Sequence, residues 1–207
     1  MLYTYTTERL TLKILGQDSA PLTTEFFLRN QEHFSRWEID HPEEYYSVPY
    51  QQRVLAAEET QFLRSQAVRY YLFAADGMAP NDISSASLTQ IGSSSAGIAP
   101  IGTVCFQHIC PAPDGSCRLG YRLDAAHTGR GYMTEALLCL IPKIFFYYRL
   151  HRIEADILPE NLSSLRLVQR LGFTQEGVAR GRYFCGGMYR DYLRYSLLSD
   201  DPFPPSR

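Results

Sequence analysis

The chain has 207 residues, of which 45% are hydrophobic, 13% aromatic and 20% charged, and its formal net charge is −2. That apolar content excludes disorder throughout, and the near-balanced charge provides no broad basic field for nucleic acid. The length suits one domain that buries roughly 70% of the unfolded chain's surface on folding.

Glu8 to Leu15 is the first expected strand, because Leu10, Leu12 and Ile14 alternate with Arg9, Thr11 and Lys13. Gly16 closes it. Asp18 or Ser19 caps a helix running to about Phe34, with Leu22, Phe26 and Phe27 inward. Pro42, Pro49 and the aromatics Trp37, Tyr45, Tyr46 and Tyr50 make His33 to Tyr50 irregular. A second helix, Tyr50 to Gln66, turns Val54, Leu55, Phe62 and Leu63 inward, and Arg69 to Ala75 is a strand. The stretch 77–100, rich in Ser, Gly, Ala and Asn, reads as a flexible insertion.

Ile101 to Ile109 and Cys117 to Leu123 form a hairpin across Pro111 to Gly115. A helix from Gly131 to Tyr148 carries Met133, Ala136, Leu137, Leu140, Ile144 and Tyr148 at helical spacing, with Pro142 removing one backbone donor. Arg152 to Leu158 is a strand, and Asn161 to Leu171 is a short helix ended by Gly172. Phe173 to Arg182 and Tyr189 to Leu198 are the closing strands. The tail from Asp200 holds three prolines and is expected to fray. This order describes a single mixed α/β (α+β) domain over residues 1–207, a central sheet flanked by helices.

The most apolar run, Leu137 to Tyr148, is interrupted by Pro142 and Lys143 and falls short of the roughly 20 residues a spanning helix needs. The first residues lack a basic region followed by an apolar stretch, so a cytoplasmic setting without a membrane partner is expected. The five cysteines are scattered and give no disulfide framework. Cys105, His108, Cys110 and Cys117 lack a paired CxxC spacing, so reduced thiols rather than a metal are expected.

Two stretches carry chemistry. In Thr128-Gly129-Arg130-Gly131-Tyr132-Met133-Thr134 a strand has ended, two glycines follow with one residue between, and an amphipathic helix begins. Glycine permits positive φ and close backbone approach, and free first-turn amides favour an anion by about 0.3–1 kcal/mol per site. A phosphate or pyrophosphate suits such a place, as does an ordinary strand-to-helix turn. It is no Walker loop, and Thr134 stands where a dinucleotide fingerprint needs its last glycine. In the second stretch Asn161 opens a short helix with Ser164 three residues on, where a plain N-cap is the simplest role for Asn161.

Together these stretches resemble the GNAT superfamily of acyl-CoA-dependent N-acyltransferases. The superfamily's pyrophosphate motif, Gln/Arg-x-x-Gly-x-Gly/Ala, falls on Thr128 to Met133, and Asn161 to Phe173 resembles its later N-x-x-[AS]…GF element. The closest resemblance is to the Rim-type (RimJ/RimL-like) branch of protein N-terminal acetyltransferases. It rests on T-E-R-L-x-L at Thr7 to Leu12, I-G-T at Ile101 to Thr103 and L-G-Y at Leu119 to Tyr121. It continues through G-[KR]-G-Y-M-T-E-A at Gly129 to Ala136, E-G at Glu176-Gly177 and D-x-x-x-Y-S-L-L at Asp191 to Leu198. Outside 77–100 it covers nearly the whole chain.

The resemblance implies acetyl-CoA as cofactor and direct attack of a primary amine, a protein N-terminus or a small molecule, on its thioester. The pyrophosphate would take the amides of Gly129 to Thr134, with Thr128 and Arg130 alongside. The strand edge Tyr121-Arg122-Leu123 would pair with the pantetheine arm, and Asn161 would bond it from the other side. Two departures matter: Thr128 replaces the usual Gln or Arg, and Val168 replaces a tyrosine that protonates the leaving thiolate in many members. Ser164 is then the expected donor. Among carboxylates, Glu32, Glu38, Glu154 and Asp156 are all open as general base. Acceptor contacts are expected from Glu32, Trp37 and Tyr183, and the protein is expected to be a monomer or homodimer. The rival reading is a non-catalytic acyl-CoA-binding or regulatory module. A nucleic-acid module would need Arg149, Arg152, Arg166, Arg170, Arg180 and Arg182 on one surface.

Overall fold

The computed structural model describes residues 1–75 and 99–204. The expected insertion therefore falls, over 77–98, outside the described residues, as does the end of the tail. Eight strands form one sheet in the order β1-β2-β3-β4-β5-β6-β8-β7. They are β1 Thr4–Thr6, β2 Leu10–Lys13, β3 Val68–Ala74, β4 Gly102–Cys110, β5 Ser116–Leu123, β6 Arg152–Ile157, β7 Thr174–Cys185 and β8 Met188–Leu198. Among the described residues only β5 and β6 pair in parallel. The helices are α1 Ala20–Arg29, α2 Gln31–Ser35, α3 Val48–Leu63, α4 Tyr132–Tyr148 and α5 Leu162–Arg170. Among the described residues no helix is long and apolar enough to cross a membrane.

The sheet has two differently furnished faces. On one, Leu10, Leu12, Tyr70, Leu72, Val104 and Phe106 meet Met133, Ala136, Leu137, Leu140 and Ile144 of α4 in the main core. The expected inward stripe of α4 is therefore the observed one, with Tyr148 half-buried at its end. Pro142 sits on the exposed side of α4. On the other face Ala20 and Leu55 pack on Tyr71 and Phe73. Phe26, Phe27, Phe34 and Tyr45 form an aromatic cluster beside them.

Strand register carries this second face across the sheet. Tyr71 lies opposite Thr103, Thr103 opposite Arg122, Arg118 beside Glu154, and Asp156 opposite Arg194. Alternation puts Arg122 and Arg118 on the same side of β5, and Glu154 and Asp156 on the same side of β6. Thus Arg118, Arg122, Asp156 and Arg194 all project toward the side that α1 and α3 cover.

Three local expectations change. The strand β1 lies ahead of the first expected one, and with three residues it shows no usable alternation. The first helix is broken at Asn30, whose buried amide donates from Nδ2 to Phe26 O and accepts at Oδ1 from Ala125 N. Leu63, expected inward, is 70% exposed because it is the last residue of α3, beyond the contacts of Leu55.

One side chain ties the start of the chain to α4. Glu135 accepts from Thr7 Oγ1 at 2.6 Å, Arg9 N at 2.8 Å and Arg9 Nε at 2.7 Å. Partial burial would raise its carboxyl, but the hydrogen bonds from Thr7 and Arg9 outweigh this and hold it below its usual range. The Arg152 fork likewise holds Glu176 down to about 2. Both groups contribute stability that is present above the ordinary carboxylate value of 4.5 and is lost as pH falls through the lowered folded values. We expect the urea midpoint of the protein to fall between about pH 5 and about pH 2. Glu135→Gln should be less stable at neutral pH by about 2 kcal/mol. It should also lose less on acidification, and equal pH slopes for the two proteins would count against this assignment.

Candidate active site

β5 and β6 are hydrogen-bonded neighbours only over Ser116 to Arg118 and Arg152 to Glu154. Beyond that point β5 stays paired with β4 as far as Leu123, and β6 stays paired with β8 as far as Ile157. The two strands part, and the backbone edge of Leu119 to Leu123 that faces β6 has no strand partner among the described residues. Such an edge accepts an extended chain by hydrogen bonding.

Just beyond this opening lies the start of α4. Gly129 has φ 75° and Gly131 φ 81°, left-handed values that favour glycine. Gly131 is the N-cap and supplies no side chain, so among the described residues the N–H groups of the first turn have no side-chain cap. Arg9 Nη1 donates to Arg130 O at 2.9 Å, and its guanidinium lies over the Tyr132 ring at 4.9 Å. Tyr132 and Met133 bury their side chains, leaving only their amides to this site. Thr128 Oγ1 donates to Ala125 O within its own turn, and the Arg130 side chain is exposed. Asp124 fixes the approach, accepting from Ala126 N at 3.0 Å and from Arg29 Nε at 2.9 Å.

On the same side, Asn161 caps α5, its Oδ1 accepting from Ser164 N at 3.1 Å and Ser163 Oγ at 2.9 Å. Tyr121 Oη reaches across the opening and donates to Ser164 O at 3.3 Å. Burial pushes the Tyr121 phenol up, so it keeps its proton at neutral pH. Val168 is fully buried in the core.

The opposite face of the opening is polar. Arg122 forms an ion pair with Glu38, donates to Tyr45 Oη at 2.9 Å and lies over the Phe27 ring. Glu38 Oε2 is 3.1 Å from His41 Nε2, and His41 stacks on Tyr45 at 3.9 Å. Further along, the Asp156 side chain is only 2% exposed and lies among three arginines. Arg182 Nε and Arg194 Nε each donate to it at 3.2 Å, and Arg118 Nε is 3.6 Å away. Tyr183 Oη donates to Asp156 at 3.2 Å and accepts from Arg118 Nη1 at 2.9 Å. The β7–β8 hairpin closes over this face, since Cys185 Sγ donates to Glu38 O and Gly186 N to Asp40 Oδ1.

A family model described as an acetyltransferase (GNAT) domain matches residues 9–174, most of the chain. The chain belongs to the GNAT family. A probable N-acetyltransferase of Bacillus subtilis (strain 168), YjcK, is 39% identical over 101 residues, 49% of this chain and 56% of that protein. The [ribosomal protein uS5]-alanine N-acetyltransferase of Escherichia coli (strain K12) is 34% identical over 104 residues, 50% of this chain and 54% of that one. The matched part thus spans about half the length of these curated relatives. The crystal structure of a ribosomal-protein-S5-alanine acetyltransferase from Vibrio fischeri superposes with a TM-score of 0.82 at 23% identity, covering 97% of this chain and 99% of that one. At that identity the likeness shows the shared fold.

Seen as a GNAT domain, the residues singled out in the sequence separate into two groups. Tyr121, Leu123, Gly129, Gly131, Asn161, Ser164 and the amides of Tyr132 to Thr134 gather around the opening. The Arg122 backbone belongs to this edge, whereas its side chain serves the other face. Met133 occupies the last small position of the pyrophosphate motif, and burial of its side chain in the core accommodates it there. Tyr183 is on the polar face with Asp156. Glu32 is apart from both groups, its side chain 90% exposed and paired with Arg36. It borders a cleft of about 530 Å³ with Leu28, Arg29, Ile39, His41 and Tyr46. Trp37 is half-buried beside Glu38, and its backbone N–H donates to Phe34 O. Arg9, Asp124, His41 and Tyr45 were not anticipated in these roles. Asp156→Asn leaves the guanidiniums without their central anion, and we expect a loss of about 2–3 kcal/mol in chemical denaturation. An unchanged midpoint would mean the cluster does not depend on that charge.

Proposed function

We propose that the chain is an acetyl-CoA-dependent N-acetyltransferase that acts in the cytoplasm on the primary amine of a protein. The observation that carries this reading is the unpaired edge of β5 leading straight to the uncapped, two-glycine start of α4. The chemistry of those groups suits a pantetheine arm ending in a pyrophosphate. The edge offers alternating donors and acceptors to amides, and the helix start offers N–H groups to an anion. Asn161 adds a side-chain amide beside the edge. When bound, acetyl-CoA supplies an acetyl thioester whose carbonyl carbon an amine attacks directly.

The chain's own residues divide the remaining work. An acceptor enters from the polar face, where Glu38 is the carboxylate best placed to take its ammonium proton. Glu32 is solvated, Glu154 is paired with Arg152, and Asp156 is held by Arg182, Arg194 and the Tyr183 hydroxyl together, whereas Glu38 meets one guanidinium, Arg122, and one imidazole, His41. Glu38 is mostly buried, and His41 and Arg122 orient it. At the α5 side, the hydroxyls of Ser164 and Tyr121 hold protons for the departing sulfur, in the region where the family's usual tyrosine is replaced by Val168. A protein acceptor is supported by the name of the Escherichia coli relative, which specifies an alanine of ribosomal protein uS5.

Calorimetric titration with acetyl-CoA, compared with dephosphorylated pantetheine, tests the reading. Binding that depends on the phosphates is expected, and no binding would turn the balance to a non-catalytic module. Gly131→Asp should abolish acetyl-CoA binding, because it sets a carboxylate among the anion-seeking amides; unchanged affinity would refute the phosphate site. Glu38→Gln should lower kcat about a hundredfold with acetyl-CoA affinity retained. A kcat within twofold of the parent would remove Glu38 as the base.

A further inference from the structure

We infer that the Arg118, Arg182 and Arg194 cluster is an acceptor-recognition site for an acidic side chain close to the N-terminus of the protein that is acetylated. This rests on the acetyltransferase reading above and adds the chemical class of acceptor.

The argument begins with charge. Three guanidiniums surround one carboxylate, Asp156, and beside them Glu154 and Glu176 share the single Arg152, so four guanidiniums face three carboxylates and a net positive charge remains. The neighbouring carboxylates are engaged elsewhere. Glu154 is bound to Arg152, and Glu176 is bound to Arg152 through both oxygens and to Ser196. Nor does Asp156 satisfy all three arginines: Arg118 Nε is buried with no hydrogen-bond partner among the described residues. Arg182 and Arg194 each spend only Nε on Asp156. Their Nη groups make no hydrogen bond to the described residues, and their side chains are 31% and 33% exposed. Two planar forks with unspent donors, held by a buried carboxylate that fixes their direction, match a carboxylate in bidentate geometry.

Geometry connects this cluster to the proposed point of amine attack. Arg118 and Arg122 project from the same side of β5, four residues apart, which is about 13 Å of strand. Arg122 marks the Glu38 end and Arg118 the Asp156 end. An extended peptide advances about 3.3 Å per residue. The fourth residue of a peptide with its amine at Glu38 lies about 10 Å along, and the length of a glutamate side chain and of the arginines spans the rest, so acidic side chains at positions two to four come within reach of the cluster. The β7–β8 hairpin that supplies Arg182 and Tyr183 is tied to the segment supplying Glu38, so both ends belong to one groove.

The test uses three hexapeptides with free N-termini, identical except at positions two to four, which hold glutamate, glutamine or lysine. Binding to the protein loaded with coenzyme A is measured by calorimetry, and turnover is measured with acetyl-CoA. The glutamate peptide should bind about tenfold tighter than the glutamine peptide, with the difference in turnover confined to KM. Arg182→Gln should erase that preference while leaving coenzyme A affinity and turnover of the glutamine peptide unchanged, and Arg182→Lys should restore part of it. Equal binding of the three peptides, preference for lysine, absence of binding by all, or an equal loss for every peptide in Arg182→Gln would overturn the inference. Preferential binding of the glutamate peptide without any turnover would uphold the anion site and count instead against the acetyltransferase reading.

Discussion

The parting of β5 from β6 after Arg118 is the constraint on which the rest of the molecule depends. A sheet interior normally satisfies every backbone group by pairing, and an edge left open costs free energy unless something else fills it. Here the opening lies in the middle of an eight-stranded sheet. The core beneath is kept whole by α4, whose apolar stripe spans several strands, and Tyr121 crosses to α5. The same opening separates two chemical environments. One side offers backbone amides and hydroxyls, and the other offers paired charges.

Those paired charges follow from how the second face is covered. Toward β2–β4, α1 and α3 bring apolar side chains, and the face is dry. Toward β6, β8 and β7 the face carries Glu154, Asp156, Arg194 and Ser196 instead. Charges buried to this degree persist only when matched, and the matching here is deliberate in its geometry but unequal in its sign. The Glu38–Arg122 pair and the Asp156 cluster therefore differ in kind: the first is balanced, the second retains excess positive charge.

Much of the fold was legible because long periodic elements announce themselves. The 17-residue α4 showed its inward face in full. Short or tertiary-determined features did not. Three residues of β1 show no period, and the break at Asn30 depends on a bond to Ala125 from a distant loop. At the site, Gly129, Gly131 and Asn161 could be picked out because their chemistry is local. The polar face was not readable, because four different strands contribute Arg118, Asp156, Arg194 and Arg182, and no spacing within one segment reports it. The choice among four carboxylates had the same difficulty, since exposure and partners, rather than residue type, distinguish Glu38 from Glu32.

Glu135 shows why a motif at the start of the chain accompanies one in its second half. Its carboxylate binds Thr7 and Arg9 across 128 and 126 residues, and Arg9 in turn holds the carbonyl of Arg130. The loop of Gly129 and Gly131 therefore takes support from residues made well before it. As the chain leaves the ribosome, Thr7 and Arg9 emerge first and wait, without their partner, until Glu135 has been made. The anion-seeking amides are consequently shaped late, by a contact whose two halves are far apart in time as well as in sequence.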